Sequence, residues 1–126
     1  MGFSKTSAER LSTCHPELQA LMNEAIKDAP VDFCIVCGHR GQEDQDKAFA
    51  QGYSKVKWPN GKHNKTPSEA VDVAPVIDGK AIFDDVSLFD CLAEHIALCA
   101  HKLNLDVVWG GTWEWKDYPH WERKNG

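Results

Sequence analysis

Apolar residues recur along the chain with two different periods, and the switches between them divide it into elements. Leu18, Leu21, Met22, Ala25 and Ile26 fall at helical spacing, giving one apolar stripe. Pro16 fits the first helical position, and Pro30 ends the segment. Val31 to Cys37 is an apolar run of strand length, followed by a polar turn, Gly38 to Gln42. A second helix is predicted over Gln42 to Gln51, with Ala48 and Phe49 facing inward and Gly52 as its stop. Residues 53–68 read as a long loop rich in Lys, Asn, Gly and Pro. Ala70 to Pro75 alternates as a strand, and Asp78-Gly79 then marks a small hairpin between two apolar pairs. The strongest helical pattern runs from about Asp85 to Leu103, with Phe89, Leu92, Ala93, Ile96, Ala100 and Leu103 on one face. Asp84 or Asp85 can cap it. Asp106 to Trp109 and Pro119 to Glu122 complete the strands, separated by a turn at Gly110-Gly111. Residues 1–14 read as a polar lead-in anchored by Phe3 and Leu11. The expected architecture is α+β: a small, mostly antiparallel sheet packed with about three helices.

Composition narrows this picture. A length of 126 residues predicts one domain, 1–126, with no linker and no separate second module. The 42% hydrophobic and 26% charged contents are those of an ordinary soluble protein. No apolar run approaches the roughly 20 residues of a membrane span, so no membrane insertion is expected. Met1 to Thr13 lacks a signal-peptide apolar region, which predicts synthesis in the cytoplasm without export by that route. The net charge of −5 argues against a nucleic-acid partner. Five cysteines without a signal peptide indicate reduced thiols. Cys34 and Cys37 have zinc-knuckle spacing, but on a strand they point to opposite faces and no second pair follows. They are read as small buried hydrophobes.

Candidate chemistry lies around the long loop. His63 within it and Asp72 on the strand leaving it can converge on one point, and both are sound zinc ligands, although two are too few. His120 is a candidate third ligand, and Asp117, three residues earlier, a candidate base. Three ligands leave an open position, which distinguishes a catalytic zinc site from a structural one. Taken singly these fragments are weak: a lone His–Asp pair is most often a surface or capping pair, and Arg40 on a turn is most often a solvated charge. His15, His95 and His101 are not needed as ligands, and His39 can border the site. Trp109 and Trp121 read as core, whereas Trp58, Trp113 and Trp115 lie near the site and could line a groove.

The order of the pieces is more specific than any one of them. Arg40…Gln45, Ser54-Lys55, His63…Ala70-Val71-Asp72 and Trp109-Gly110-Gly111…Asp117-Tyr118-Pro119-His120 together resemble the phage-endolysin L-alanyl-D-glutamate peptidases, relatives of the D-alanyl-D-alanine carboxypeptidases. Phe3-Ser4, Arg10-Leu11 and Cys14-His15-Pro16-Glu17-Leu18-Gln19 are similar to this branch as well, so the likeness spans about residues 3–122. It implies the zinc-peptidase fold of that group. It also implies one Zn2+ held by His63, Asp72 and His120, with Asp117 as general base. Arg40 would bind a substrate carboxylate or stabilise charge on the attacked carbonyl, with Gln45 supporting it. Ser68 and Trp115 are expected among the substrate contacts. Two departures stand out. Gly61 occupies a position where many members carry Ser, and the His63–Asp72 interval is longer than usual. Glu114, in the Trp113-Glu114-Trp115 insert, competes with Asp117 as base, but Asp117 has the family's spacing to His120. The implied activity is hydrolysis of the L-alanyl-D-glutamate bond in the peptidoglycan stem peptide, causing cell lysis by a monomer made in the host cytoplasm and released by a holin. The rivals are a D-alanyl-D-alanine carboxypeptidase or dipeptidase on the same scaffold, and a non-catalytic zinc-dependent wall-binding module. An Asp beside an open coordination position argues against the latter.

Overall fold

The computed structural model describes residues 2–125. Its elements are α1 (Lys5–Leu11), α2 (Pro16–Ile26), β1 (Phe33–Cys37), α3 (Gln42–Ala50), β2 (Ala70–Ile77), β3 (Lys80–Ala81), α4 (Val86–Lys102), β4 (Val107–Trp109) and β5 (His120–Arg123). Single 3-10 turns occupy Lys62–Asn64 and Gly110–Thr112. The sheet runs β1-β2-β5-β4, every pairing is antiparallel, and β3 extends the far end of β2. The fold is the expected α+β class, with four helices rather than three.

Alternation along the central strands separates two faces. Val71 and Val73 of β2 and Trp121 of β5 are buried in the core, together with Leu18, Leu21 and Met22 of α2 and Leu92 and Ile96 of α4. Full burial of each Leu or Ile contributes roughly 1.5–3 kcal/mol, so this apolar face holds the helices to the sheet. Trp109 and Trp121 stand opposite each other across β4 and β5 and stack at 6.1 Å, as the core reading expects. The intervening residues Asp72, His120 and Glu122 are left on the other face, which is where the site forms.

Three expectations are corrected. The lead-in is a helix, α1, capped by Ser4, whose Oγ accepts from Ser7 N at 3.2 Å. It covers the outer edge of β1: Ile35 N donates to Ser7 Oγ at 3.0 Å and the Arg10 guanidinium donates to Ile35 O at 3.1 Å. An edge strand needs such cover for its unpaired backbone groups. Pro75 does not end β2, which continues to Ile77; lacking an N–H, Pro75 offers only its carbonyl, which accepts from Ile82 N at 2.8 Å. In α3 the buried residue is Gln45, whereas Phe49 is 38% exposed and lies beneath the Lys57 ammonium. The hairpin is as predicted: Asp78 and Gly79 take positive φ values of 52° and 78°, as a tight two-residue turn between β2 and β3 requires.

Candidate metal centre and active-site cavity

Register brings the central pair of side chains together. Asp72 on β2 is paired with His120 on β5, so the two side chains project from adjacent strands on one face. His63 arrives from the 3-10 turn at Lys62–Asn64. The Asp72 Oδ1 lies 3.1 Å from His63 Nε2 and 3.2 Å from His120 Nδ1. One ligand atom from each residue falls within 4.8 Å of the others, the one such His/Cys/Asp/Glu group among the described residues. Two imidazoles and a carboxylate form a zinc-type donor set, and ligands about 2.0–2.1 Å from a tetrahedral ion stand about 3.3 Å apart. The cluster therefore fits a single ion with little movement.

The remaining ring nitrogens are tied down. His63 Nδ1 lies 2.7 Å from Gly38 O, so it carries the proton and donates. His120 Nε2 lies 2.8 Å from Glu122 Oε1, and Glu122 is in turn held by the Lys62 ammonium at 3.1 Å. Such partners fix tautomer and ring angle at metal sites. The sequence does not mark Glu122 or Lys62 for this role; its only signal is that His120 and Glu122, two apart on a strand, share a face.

The electrostatics follow from burial and pairing. Burial alone would raise the Asp72 pKa, but the charges and hydrogen bonds of His63 and His120 outweigh it and hold the carboxyl well below the usual range. Burial alone would lower the His63 pKa, but the Asp72 charge and hydrogen bond push it up to about 10. His120 is raised too: burial opposes this, and hydrogen bonds to Asp72 and Glu122 prevail. Asp117 is raised, chiefly by burial and then by the neighbouring Asp72 charge, against the pull of His120, His63 and Arg40.

Arg40 reaches the same point from the turn after β1. Its Nη2 lies 3.5 Å from Asp72 Oδ2, and its Nη1 donates to Gln45 Oε1 at 3.1 Å. Gln45 is fully enclosed, and its amide nitrogen donates to Ser54 Oγ at 2.9 Å and Val56 O at 2.7 Å. Asn64, not identified from sequence, links these parts: its Nδ2 donates to Arg40 O and to Gln45 Oε1, both at 3.0 Å, and its Oδ1 accepts from Gly61 N at 2.9 Å.

The closing segment depends on close approach of backbone at Gly110. A Cβ there would stand 2.4 Å from Asp117 O and 3.1 Å from His120 Cβ. Asp117 N donates to Gly110 O at 3.0 Å, and Asp117 Oδ2 ends 3.9 Å from His120 Nδ1. Trp113 rests its ring 5.1 Å from that of His120. A cavity of about 1120 Å³ opens over these groups, lined by Arg40, Gln45, His63, Asp72, Asp117, His120, Trp113 and Trp115 among others. Glu114 is exposed and absent from the lining, so it does not compete with Asp117 on geometry. Ser68, Trp58 and His39 are also absent from the lining. Ser68 is fully buried and donates its hydroxyl to Ala70 O at 2.6 Å, bridging towards Cys14 instead of the cavity. Cys37 lines the cavity opposite Asp72 but is not one of the clustered donors.

A buried donor triad flanked by a carboxylate and a guanidinium, on the polar face of a small antiparallel sheet, is the arrangement of a metal-dependent hydrolase. The chain belongs to the phage L-alanyl-D-glutamate peptidase family, which it matches over residues 1–126. It is 32% identical over 124 residues to the L-alanyl-D-glutamate peptidase of Escherichia phage T5, covering 98% of this chain and 90% of the relative. Its fold is similar to the crystal structure of the Serratia marcescens L-Ala D-Glu endopeptidase ChiX, with a TM-score of 0.84 and 26% identity over 97% of this chain and 89% of the other. The protein is an L-alanyl-D-glutamate peptidase of the phage type, with a buried His–His–Asp cluster able to bind a metal ion.

Proposed function

We propose that His63, Asp72 and His120 hold one zinc ion, and that Asp117 and Arg40 carry out the chemistry on the L-alanyl-D-glutamate bond of the peptidoglycan stem peptide. The observation that carries this reading is the convergence of the three donors within 4.8 Å, with Asp117 Oδ2 3.9 Å from His120 Nδ1 on the same cavity floor. When bound, zinc in an open three-ligand site supplies a Lewis acid and lowers the pKa of water. Asp117 takes the proton of the attacking water and delivers it to the leaving amine. Its raised pKa suits a group that must both accept and release a proton. Arg40, fixed by Gln45, presents a guanidinium where negative charge develops on the attacked carbonyl, or to a carboxylate of the glutamyl side. Trp113 and Trp115 contribute apolar wall to the cleft. In this reading the single domain acts as a monomeric endolysin that reaches the wall through a holin and lyses the cell.

The test is mass spectrometry of muropeptides digested with the enzyme as prepared, after chelation, and after zinc is restored. Products cut between L-alanine and D-glutamate, lost on chelation and recovered with zinc, are expected. Release of terminal D-alanine would move the chain to the carboxypeptidase reading, and undiminished cleavage after complete metal removal would overturn the zinc mechanism.

A further inference from the structure

We propose that the exposed rings of Tyr53 and Phe83, together with Trp115, form a subsite for the N-acetylmuramoyl sugar that carries the stem peptide. The proposal rests on the L-alanyl-D-glutamate reading of the scissile bond. In the wall polymer the amino group of that L-alanine is acylated by the lactyl arm of muramic acid. The sugar therefore begins one residue, about 3.3–3.6 Å of chain, upstream of the alanine. An enzyme that attacks the alanine carbonyl must place the sugar inside or against the same cleft.

The cleft has room and the right surface. Its volume of about 1120 Å³ exceeds the roughly 300–1,000 Å³ typical for a drug-sized ligand, more than the two residues at the bond need. Tyr53 is 73% exposed, Phe83 56% and Trp115 39%, and all three line this cavity. Half of the large exposed hydrophobic residues among those described, four of eight, are on its lining once Val56 is included. Tyr53 and Phe83 take no part in the ring pairs that knit Phe3 to Phe33 or Trp109 to Tyr118 and Trp121. Exposed apolar surface gathered on one cavity marks an interaction surface.

Different segments of the chain bring the three rings to this cavity. Tyr53 follows α3, on the segment that carries Ser54 and Val56 to Gln45. Phe83 follows β3, next to Ile82, whose N donates to Pro75 O. The Lys55 ammonium sits 5.1 Å from the Trp115 ring centroid, joining the Tyr53 segment to the Trp115 segment. A pyranose has apolar C–H faces and a polar hydroxyl rim, which matches exposed aromatic side chains. The sugar is uncharged once its lactyl carboxyl is in the amide, so its contacts are assigned to the aromatic rings and not to the ammonium groups of Lys47, Lys55 and Lys116 that share the lining.

The test is equilibrium binding of two probes, N-acetylmuramoyl-L-alanine and sugar-free N-acetyl-L-alanine, to the metal-loaded protein and to its Tyr53→Ala and Phe83→Ala variants. The wild-type protein is expected to prefer the sugar-bearing probe by about tenfold or more, and each variant to lose most of that preference. Both positions are exposed, and thermal melts confirm that the variants fold. Equal affinities in the wild type, or a preference unchanged in both variants, would overturn the subsite. Muropeptide products from the same preparations separate the two readings: cleavage at L-alanyl-D-glutamate without sugar preference sinks the subsite alone, and a sugar preference with cleavage elsewhere sinks the bond assignment.

Discussion

Asp72 and His120 face each other across β2 and β5, with Asp72 Oδ1 3.2 Å from His120 Nδ1, and the same oxygen is 3.1 Å from His63 Nε2. One carboxylate oxygen thus organises both imidazoles before any ion arrives. Replacing Asp72 with Ala removes the common partner of both rings. Metal content measured on purified protein should fall from near one equivalent to near zero. The melting temperature of the metal-free protein should fall as well, because two buried imidazoles lose their charged partner.

Asp117→Ala should separate catalysis from metal binding. Turnover should drop by roughly 10²–10⁴-fold, the range for a lost general acid–base, while bound metal stays near one equivalent. Loss of both together with the fold intact would make Asp117 a ligand.

Protons and metal compete for the same atoms. His63 carries its proton up to about pH 10 in the metal-free protein, against an ordinary value of 6.5. Its pairing therefore contributes stability that is complete below about 6.5 and is lost as pH rises through about 10. Asp72 is depressed, so its contribution is present above its ordinary value of 3.8 and disappears as pH falls through the folded value. The metal-free protein should be most stable between these limits. Metal affinity should move the other way and rise with pH towards 10, because the ion displaces the imidazole proton. Calorimetric titration in buffers of different ionisation enthalpy would count that release; no proton release at neutral pH would contradict the assignment.

Glu122→Gln leaves a hydrogen-bonding group beside His120 Nε2 but removes the charge held by Lys62. Metal affinity should weaken by about 10–100-fold, the usual effect of losing such a partner. Lys62→Met should act in the same direction and add little in the double variant, since both act through one chain of contacts. Metal competition assays on the three variants measure this.

Gly38→Ala should damage the site from behind. A Cβ at Gly38 would lie 2.3 Å from both Arg10 O and Thr13 Oγ1, distances no packed atom tolerates. A loss of about 1–3 kcal/mol is expected from the forced backbone shift. Weaker metal binding should accompany it, because Gly38 O orients His63. Urea melts with and without metal resolve the two effects.

The helical stripes of α2 and α4 and the alternation of β2 are legible because the residues that define them are apolar and local. The helix α1 is not, since Ser7 and Arg10 are fastened to β1 by hydrogen bonds 28 and 25 residues away. The span of α3 is legible but its inward residue is not: this is the amide Gln45, held by Ser54, Val56 and Asn64 from outside the helix. Of the site, the positions of His63, Asp72, Asp117 and His120 are readable as an ordered set. The Glu122–Lys62 support and the Asn64 link are not, because they exist only through strand register and loop closure.

The fastening of α1 has a further consequence. Arg10 grips β1 through its guanidinium, and its carbonyl and the Thr13 hydroxyl close over Gly38, with Thr13 Oγ1 accepting from His39 N at 2.8 Å. Gly38 O is the atom that aims the His63 ring. The first helix and the turn after it therefore back the residue that orients the His63 ring. A displacement of that helix, by a bulky fusion or a tethered surface, is expected to reach the His63 ring through Gly38 and to show as weaker metal binding.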